Sequence, residues 1–392
     1  MMSEEEKRVE EEMQEAPIFG DLLDSIISHV PLIDLLPASQ VSHSWKRAVS
    51  LSLRRPNNKL KPWLILHAQS TREPLSVNSA YAYDPRSKLW VHIEHQPSIK
   101  SNSFSALRSS HSTLLYMLSP SNFSFSLDPL HLSWHQADPP TVWRVDPIVA
   151  VVGYYAIVAG GAYEFEDDRL AVEMYDTRSR TWETCESMPE TFMYSASSIW
   201  VSVAVDSSRM YVLEKIKGIM YWFDPCTKIW HGPCNLRQND GESVYCCCIG
   251  FASGRLILVG IIEEENENSK RLKLWEVYGD SWEKQREITE MPKEMVEKMI
   301  ADDDFSSASN SSVGVTIMGD LVFVYNNSKP EELFFFEING TPDAVTVNWV
   351  SVENAAVDKI GLIERVVVSC SDVGIPDLRR AASMSVKVDR LQ

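Results

Sequence analysis

The sequence predicts a mainly β fold: a closed propeller of about six four-stranded blades, preceded by a small α-helical module. Three observations predict it. A short aromatic–aspartate–turn–tryptophan unit recurs along the body of the chain, its interval is that of a propeller blade, and the hydrophobic period changes from helical to strand-like before the first copy. A chain of 392 residues exceeds the usual size of one compact domain, and a closed repeat array uses such a length in a single unit.

The unit is clearest in Tyr83-Asp84-Pro85-Arg86-Ser87-Lys88-Leu89-Trp90. It returns as Tyr175-Asp176 ending at Trp182 and as Phe223-Asp224-Pro225 ending at Trp230, each tryptophan seven positions after the aromatic residue. Leu127-Asp128-Pro129 to Trp134 and Trp275 to Trp282, with Gly279-Asp280-Ser281 as the turn, keep the spacing with altered residues. Phe336 followed by Asn339-Gly340 and Trp349 is a degraded sixth copy. Asp-Pro and Gly-Asp favour turns while the aromatic residues form strands, so each copy reads as a β-hairpin. The anchors at 83, 127, 175, 223, 275 and 336 are 44, 48, 48, 52 and 61 residues apart. A four-stranded blade takes roughly 40–50 residues.

Val158-Ala159-Gly160-Gly161, followed by Tyr175 and Trp182, resembles the Kelch family, whose blades place a paired glycine at a strand end, then a Tyr, then a Trp after a turn. Val212-Leu213-Glu214, Leu258-Val259-Gly260 and Val324-Tyr325-Asn326 stand where other blades of that family carry the glycine pair. The resemblance implies a Kelch-type propeller over residues 59–372. Whether Trp63-Leu64-Ile65-Leu66, Val366-Val367-Val368 or both close the ring stays open.

Composition excludes several classes of function. A formal charge of −18 disfavours nucleic acid, whose phosphates want a basic surface. The uncharged stretch Ile148–Tyr163 is too short to span a membrane and is interrupted by Gly153, Gly160 and Gly161, which suits strands; no membrane partner is expected. The N-terminus lacks the basic-then-apolar order of a secretory signal. Seven scattered cysteines without a CxxC pair make a poor disulfide or zinc framework, and Cys246, Cys247 and Cys248 would alternate between strand faces. A reducing compartment fits, the cytoplasm or also the nucleus.

Residues 1–15 are expected to be a disordered acidic tail. Residues 16–58 then change period. Leu22, Leu23, Ile26, Ile27 and Val30 fall at helical spacing behind Gly20-Asp21, and Pro31 ends that helix. Leu35 and Leu36 make a short second turn, and Pro37 starts a further helix along which Ala38, Val41, Trp45 and Ala48 share a face. Three short helices are too small to be stable alone and must pack on the propeller or a partner.

Ile18-Phe19-Gly20-Asp21-Leu22-Leu23-Asp24-Ser25-Ile26-Ile27-Ser28-His29-Val30-Pro31 resembles the opening of an F-box, and Leu35-Leu36-Pro37-Ala38-Ser39-Gln40-Val41-Ser42-His43-Ser44-Trp45 resembles its closing half. The F-box family's usual Leu-Pro start is replaced here by Ile18-Phe19. F-box and Kelch in one chain resemble a large plant class of substrate receptors. The resemblance implies that the helices bind a Skp-type adaptor bridging to cullin, through Ile18, Leu22, Leu23, Ile26, Val30, Pro31, Leu35, Val41 and Trp45. It also implies a protein substrate on the propeller, destined for ubiquitination. The Gly-Asp-Leu-Leu opening, the Val41–Val49 segment and Met291-Pro292-Lys293-Glu294-Met295 resemble a plant subgroup that directs phenylpropanoid and flavonoid enzymes, chalcone synthase first, to degradation.

No catalytic motif is present: neither GxSxG, HExxH nor a phosphate-binding glycine loop. His67, His92, His95, His111, His131 and His135 match no metal spacing and read as polar loop residues. Neither an enzyme nor a cofactor is expected. Lys293–Ala301 reads as a short amphipathic helix with Met295, Met299 and Ile300 on one side, followed by a Ser-rich loop over Asp302–Ser312. Residues 373–392 read as a loose C-terminal tail in which Arg379-Arg380-Ala381-Ala382-Ser383 resembles a kinase site.

Overall fold

The computed structural model describes residues 18, 20–54, 60–70, 79–95, 105–195, 200–237, 244–263, 270–300, 312–338, 347–360 and 364–391. The acidic stretch 1–15 and almost all of the Ser-rich loop lie outside these residues. Three helices, α1 (Gly20–His29), α2 (Leu32–Val41) and α3 (His43–Ser52), lead into six antiparallel sheets arranged as a six-bladed β-propeller.

The sequence repeat becomes the hairpin of the third and fourth strands of a blade. Tyr83 pairs directly across from Trp90, Tyr175 from Trp182, and Phe223 from Trp230. Their ring centroids lie 5.5, 5.3 and 5.2 Å apart at the same 50° tilt, a geometry that adds to simple area burial. The aspartate's role is local. Its carboxylate accepts the backbone N–H two residues on, in Asp84–Arg86, Asp176–Arg178 and Asp224–Cys226. That Asx turn delivers Lys88, Arg180 and Lys228 in the left-handed region, at φ 53°, 60° and 62°, one step before the outer strand. Each tryptophan then donates its indole N–H to a carbonyl at the end of the preceding blade: Glu353, Asp138 and Glu186. The unit thus makes both a hairpin and a joint between blades.

Three weaker copies behave differently. Trp282 does not face Trp275, whose partner is Glu287. It sits in a turn at φ 59° and packs edge-on against Tyr211 of the preceding blade. In the second blade Leu127 is exposed, and the cross-strand pair is Phe125 with His135, stacked at 5.2 Å. Asp128 serves a longer turn there, accepting the N–H of His131. Phe336 and Trp349 do meet, at 4.5 Å, across the lengthened connection.

The ring closes through the C-terminus. Glu364–Ser371 pairs with Trp63–Ser70 over eight residues, as the innermost strand of the first blade. The segment expected to be a loose tail instead folds. A helix of Ile375–Ser383 packs on the first blade, and Lys387–Arg390 adds a fifth, outer strand beside Leu89–Glu94. Helix α4 (Lys293–Met299) buries Val296 and Met299 against the fifth and sixth blades, and the C-terminal helix is therefore α5.

The glycine pair has a steric reason. Gly161 has φ 61°, and a Cβ there would stand 2.5 Å from the Asp146 backbone. Beside it Arg144 is fully buried. It donates to the carbonyls of Gly160 and Ala171 and to Glu173, which also accepts the N–H of Thr141 and Val142. Glu173→Gln removes the charge that compensates a buried guanidinium. It is expected to cost about 3–5 kcal/mol, read as a lower denaturation midpoint with an unchanged m-value.

Cys246 and Cys248 face one core cluster and Cys247 another, as alternation requires, and burial pushes the Cys246 thiol up to about 12. Several histidines read as loop residues are in fact interior. His67 is fully buried beside Ser369, and burial together with the nearby His95 holds it down to about 3. It therefore folds neutral. Its contribution is complete above pH 6.5 and is lost as pH falls toward 3. Acidification from pH 7 to 5 should destabilise the protein on the order of 1 kcal/mol per pH unit through this group. His67→Gln should flatten that slope in a series of melts, and an unchanged slope would exclude His67 as its source.

Candidate functional site: the helical module

The module's boundaries follow local chemistry, with one correction. Pro37 does not open a helix but lies inside α2, and the break falls at Ser42. Pro31, at φ −54° and ψ 149°, already supplies the entry to α2. Ser42 is extended, and its hydroxyl accepts the Trp45 N–H at 3.3 Å, capping α3.

These helices do not form a free-standing unit. Leu23, Ile27, Leu32, Leu35, Ala48 and Val49 share one core with Ile65, Ala82, Val91 and Ile93 of the first blade and with Ile375, Leu378 and Ala381 of α5. Helix α5 is the wedge between them. Arg379 reaches Ser39 of α2 at 3.2 Å, and Arg390 in the outer strand pairs with Asp34. On the other side Arg380 holds Asp128 and Ser133 of the second blade. The His131 imidazole bridges Asp128 and the Asp377 carbonyl, at 2.8 and 2.9 Å. Burial opposes protonation of that imidazole, but these two hydrogen bonds outweigh it and hold its pKa above the ordinary value.

The nine residues singled out for adaptor docking separate into three groups. Leu23 and Leu35, 2% and 0% exposed, belong to the module's own core. Val30, Pro31 and Trp45 are half-buried, with Val30 and Trp45 packed against that core. Ile18, Leu22, Ile26 and Val41 are open to solvent at 43%, 62%, 41% and 63%. Apolar side chains at those positions keep much of their surface in water and are available to a partner. The role of α5 went unseen in the sequence, although Ile375, Leu378 and Ala381 at helical spacing behind Pro376 carried the signal.

Among the described residues no group of three or more His, Cys, Asp or Glu side chains is placed to hold a metal ion. None of their helices is long and apolar enough to cross a membrane.

Residues 20–55 match the F-box domain family. An F-box/kelch-repeat protein of Arabidopsis thaliana is 43% identical over 376 residues, which are 94% of this chain and 93% of that protein. Among solved structures, Hsv2 of Kluyveromyces lactis is similar at 10% identity and TM-score 0.36, over 70% of this chain and 82% of that one. A chain of the nidogen/laminin complex is similar at 7% identity and TM-score 0.40, over 79% of this chain and 98% of that one.

Proposed function

The chain belongs to the F-box/kelch-repeat proteins, and on that premise we propose that it is the substrate-recognition subunit of an SCF-type ubiquitin ligase. Helices α1–α3 hold a Skp-type adaptor and, through it, cullin. The propeller presents a target protein for ubiquitination and proteasomal degradation. The observation that carries this reading is the division of labour within the module. One side is buried against the first blade and α5, while Ile18, Leu22, Ile26 and Val41 stay exposed on the same small unit. A docking surface needs both: a fixed base and an uncovered apolar face.

In this reading residues 16–58 dock, residues 59–372 select, and residues 373–392 join the two. Leu23, Leu35 and Trp45 support the docking helices from within, and Val30 and Pro31 set the angle between α1 and α2. The chain catalyses nothing itself and works in the cytoplasm, with the nucleus as a second location. The target is an enzyme of phenylpropanoid or flavonoid synthesis, with chalcone synthase first. The opening Gly20-Asp21-Leu22-Leu23, the Val41–Val49 segment and Met291–Met295 support that choice through their resemblance to a plant subgroup.

The test is reconstitution. Purified chain, adaptor, cullin complex and chalcone synthase should yield ubiquitinated chalcone synthase that depends on the chain. If the target stays unmodified while the chain sits in the assembled ligase, the choice of target is wrong and the receptor assignment stands.

A further inference from the structure

The third blade carries an uncovered aromatic surface. By the up-and-down order of its strands, the connection entering the blade and the loop between its second and third strands lie at the same end. Trp143 and Val145 come from the first of these and Tyr163 and Phe165 from the second, and all four are exposed, Phe165 at 87%. A lone exposed apolar residue needs no explanation, but a cluster from two loops does.

The two loops are also tied together. The Tyr163 N–H bonds the Trp143 carbonyl at 3.1 Å, and the Val145 N–H bonds that of Gly161 at 2.9 Å. The Glu166 carboxylate accepts the Trp143 backbone N–H, and the ring centroids of Tyr163 and Phe165 lie 5.4 Å apart. Beneath both loops lies the buried Arg144–Glu173 pair. Aromatic side chains carried on loops already tied to one another leave less backbone to order when a partner arrives, which favours an anchor site. Next to Trp143 a cavity of about 110 Å³ opens among Pro120, Pro139 and Pro140.

The electrostatics specify the occupant. The aromatic residues are interleaved with acids in Tyr163-Glu164-Phe165-Glu166-Asp167-Asp168, with Glu164 and Asp167 exposed and Arg169 the one base that follows. On a chain of net charge −18 this loop repels a second copy and attracts a cation-rich partner. We propose that this end of the third blade captures a basic segment of a protein partner, seating an apolar side chain beside Trp143 and Phe165 and its flanking lysines or arginines on Glu164 and Asp167. The proposal rests on the receptor reading only for calling that partner a degradation target.

The test selects a displayed library of random peptides on the full-length chain, then titrates the recovered peptides as labelled synthetic probes. Recovered sequences should combine an aromatic or aliphatic residue with flanking Lys or Arg. Phe165→Ala, and separately Glu164→Lys with Asp167→Lys, should each weaken the best peptide by about tenfold or more. Binding by the wild-type chain should weaken at high salt. Thermal stability and adaptor binding should stay at wild-type values, since these side chains are exposed and distant in sequence from the helices. Failure to recover peptides, recovery without that composition, or binding that survives both variants overturns the proposal. Dimerisation abolished by Phe165→Ala would assign the surface to a second copy and overturn it equally. Failure of the wild-type chain to bind the adaptor would instead overturn the receptor reading and leave the peptide result intact.

Discussion

Leu22→Asp combined with Val41→Asp is expected to abolish binding of the Skp-type adaptor while leaving the fold at wild-type stability. The two side chains are 62% and 63% exposed, so aspartate at either site meets water in the free protein. Surface changes of that kind usually stay within about 0.5 kcal/mol of neutral. In a docked state the same carboxylates would be buried against apolar groups without a partner, which costs several kcal/mol for each charge. Two such penalties lower affinity by more than a hundredfold. Calorimetric titration of purified adaptor into the variant measures the effect, and a melt in the same buffer controls for folding. Leu23→Asp is the contrast, because Leu23 is 2% exposed and its loss should lower the melting temperature directly. Wild-type affinity in the double variant would remove Leu22 and Val41 from the docking face.

Truncation after Ser371 is expected to be far more damaging than loss of a tail. It removes α5 and the fifth strand of the first blade, and with them Val373, Ile375, Leu378, Ala381 and Val386 from the core shared by module and propeller. At roughly 2 kcal/mol for each larger apolar side chain, the loss is on the order of 5–10 kcal/mol, comparable with the whole stability of a typical domain. The newly exposed faces of α1–α3 and of the blade should make the product aggregate. A milder probe, Arg390→Ala, removes only the pairing with Asp34 at the surface and should change stability by less than about 1 kcal/mol. A soluble truncated chain with a wild-type melting temperature would mean that α5 covers nothing the fold needs. The same geometry bears on the helices. Deleting residues 1–58 takes Leu23, Ile27, Leu32, Leu35, Ala48 and Val49 out of the core they share with α5 and the first blade, so the propeller is not expected to keep wild-type stability without its module.

The propeller was legible because its information is local. One hairpin unit repeated with small change, and Asp84, Asp176 and Asp224 stand where the turn needs a side-chain acceptor. Where the turn changed length, spacing alone misled. Trp282 keeps seven residues from Trp275, yet the turn around Gly279 carries it away to Tyr211. Closure of the ring by Glu364–Ser371 pairs residues about three hundred positions apart, a relation no local pattern reports. The C-terminal helix was hidden for the same reason. Its Arg379 and Arg380 read as part of a loose tail resembling a kinase site, although their partners Ser39 and Asp128 come from two distant elements. In the module, periodicity found the apolar residues but could not divide them, because Leu22 and Leu23 differ only in which side of α1 faces the shared core.

The most direct test of the receptor assignment is to purify the full-length chain from plant cells with proteasome activity blocked, beside the Leu22→Asp, Val41→Asp variant, and to identify what travels with each by mass spectrometry. The assignment predicts adaptor and cullin with the wild-type chain, neither with the variant, and the same enriched metabolic enzyme with both. A partner enriched on the wild-type chain without adaptor or cullin would contradict it, and would make the propeller a binding scaffold that works outside a ubiquitin ligase.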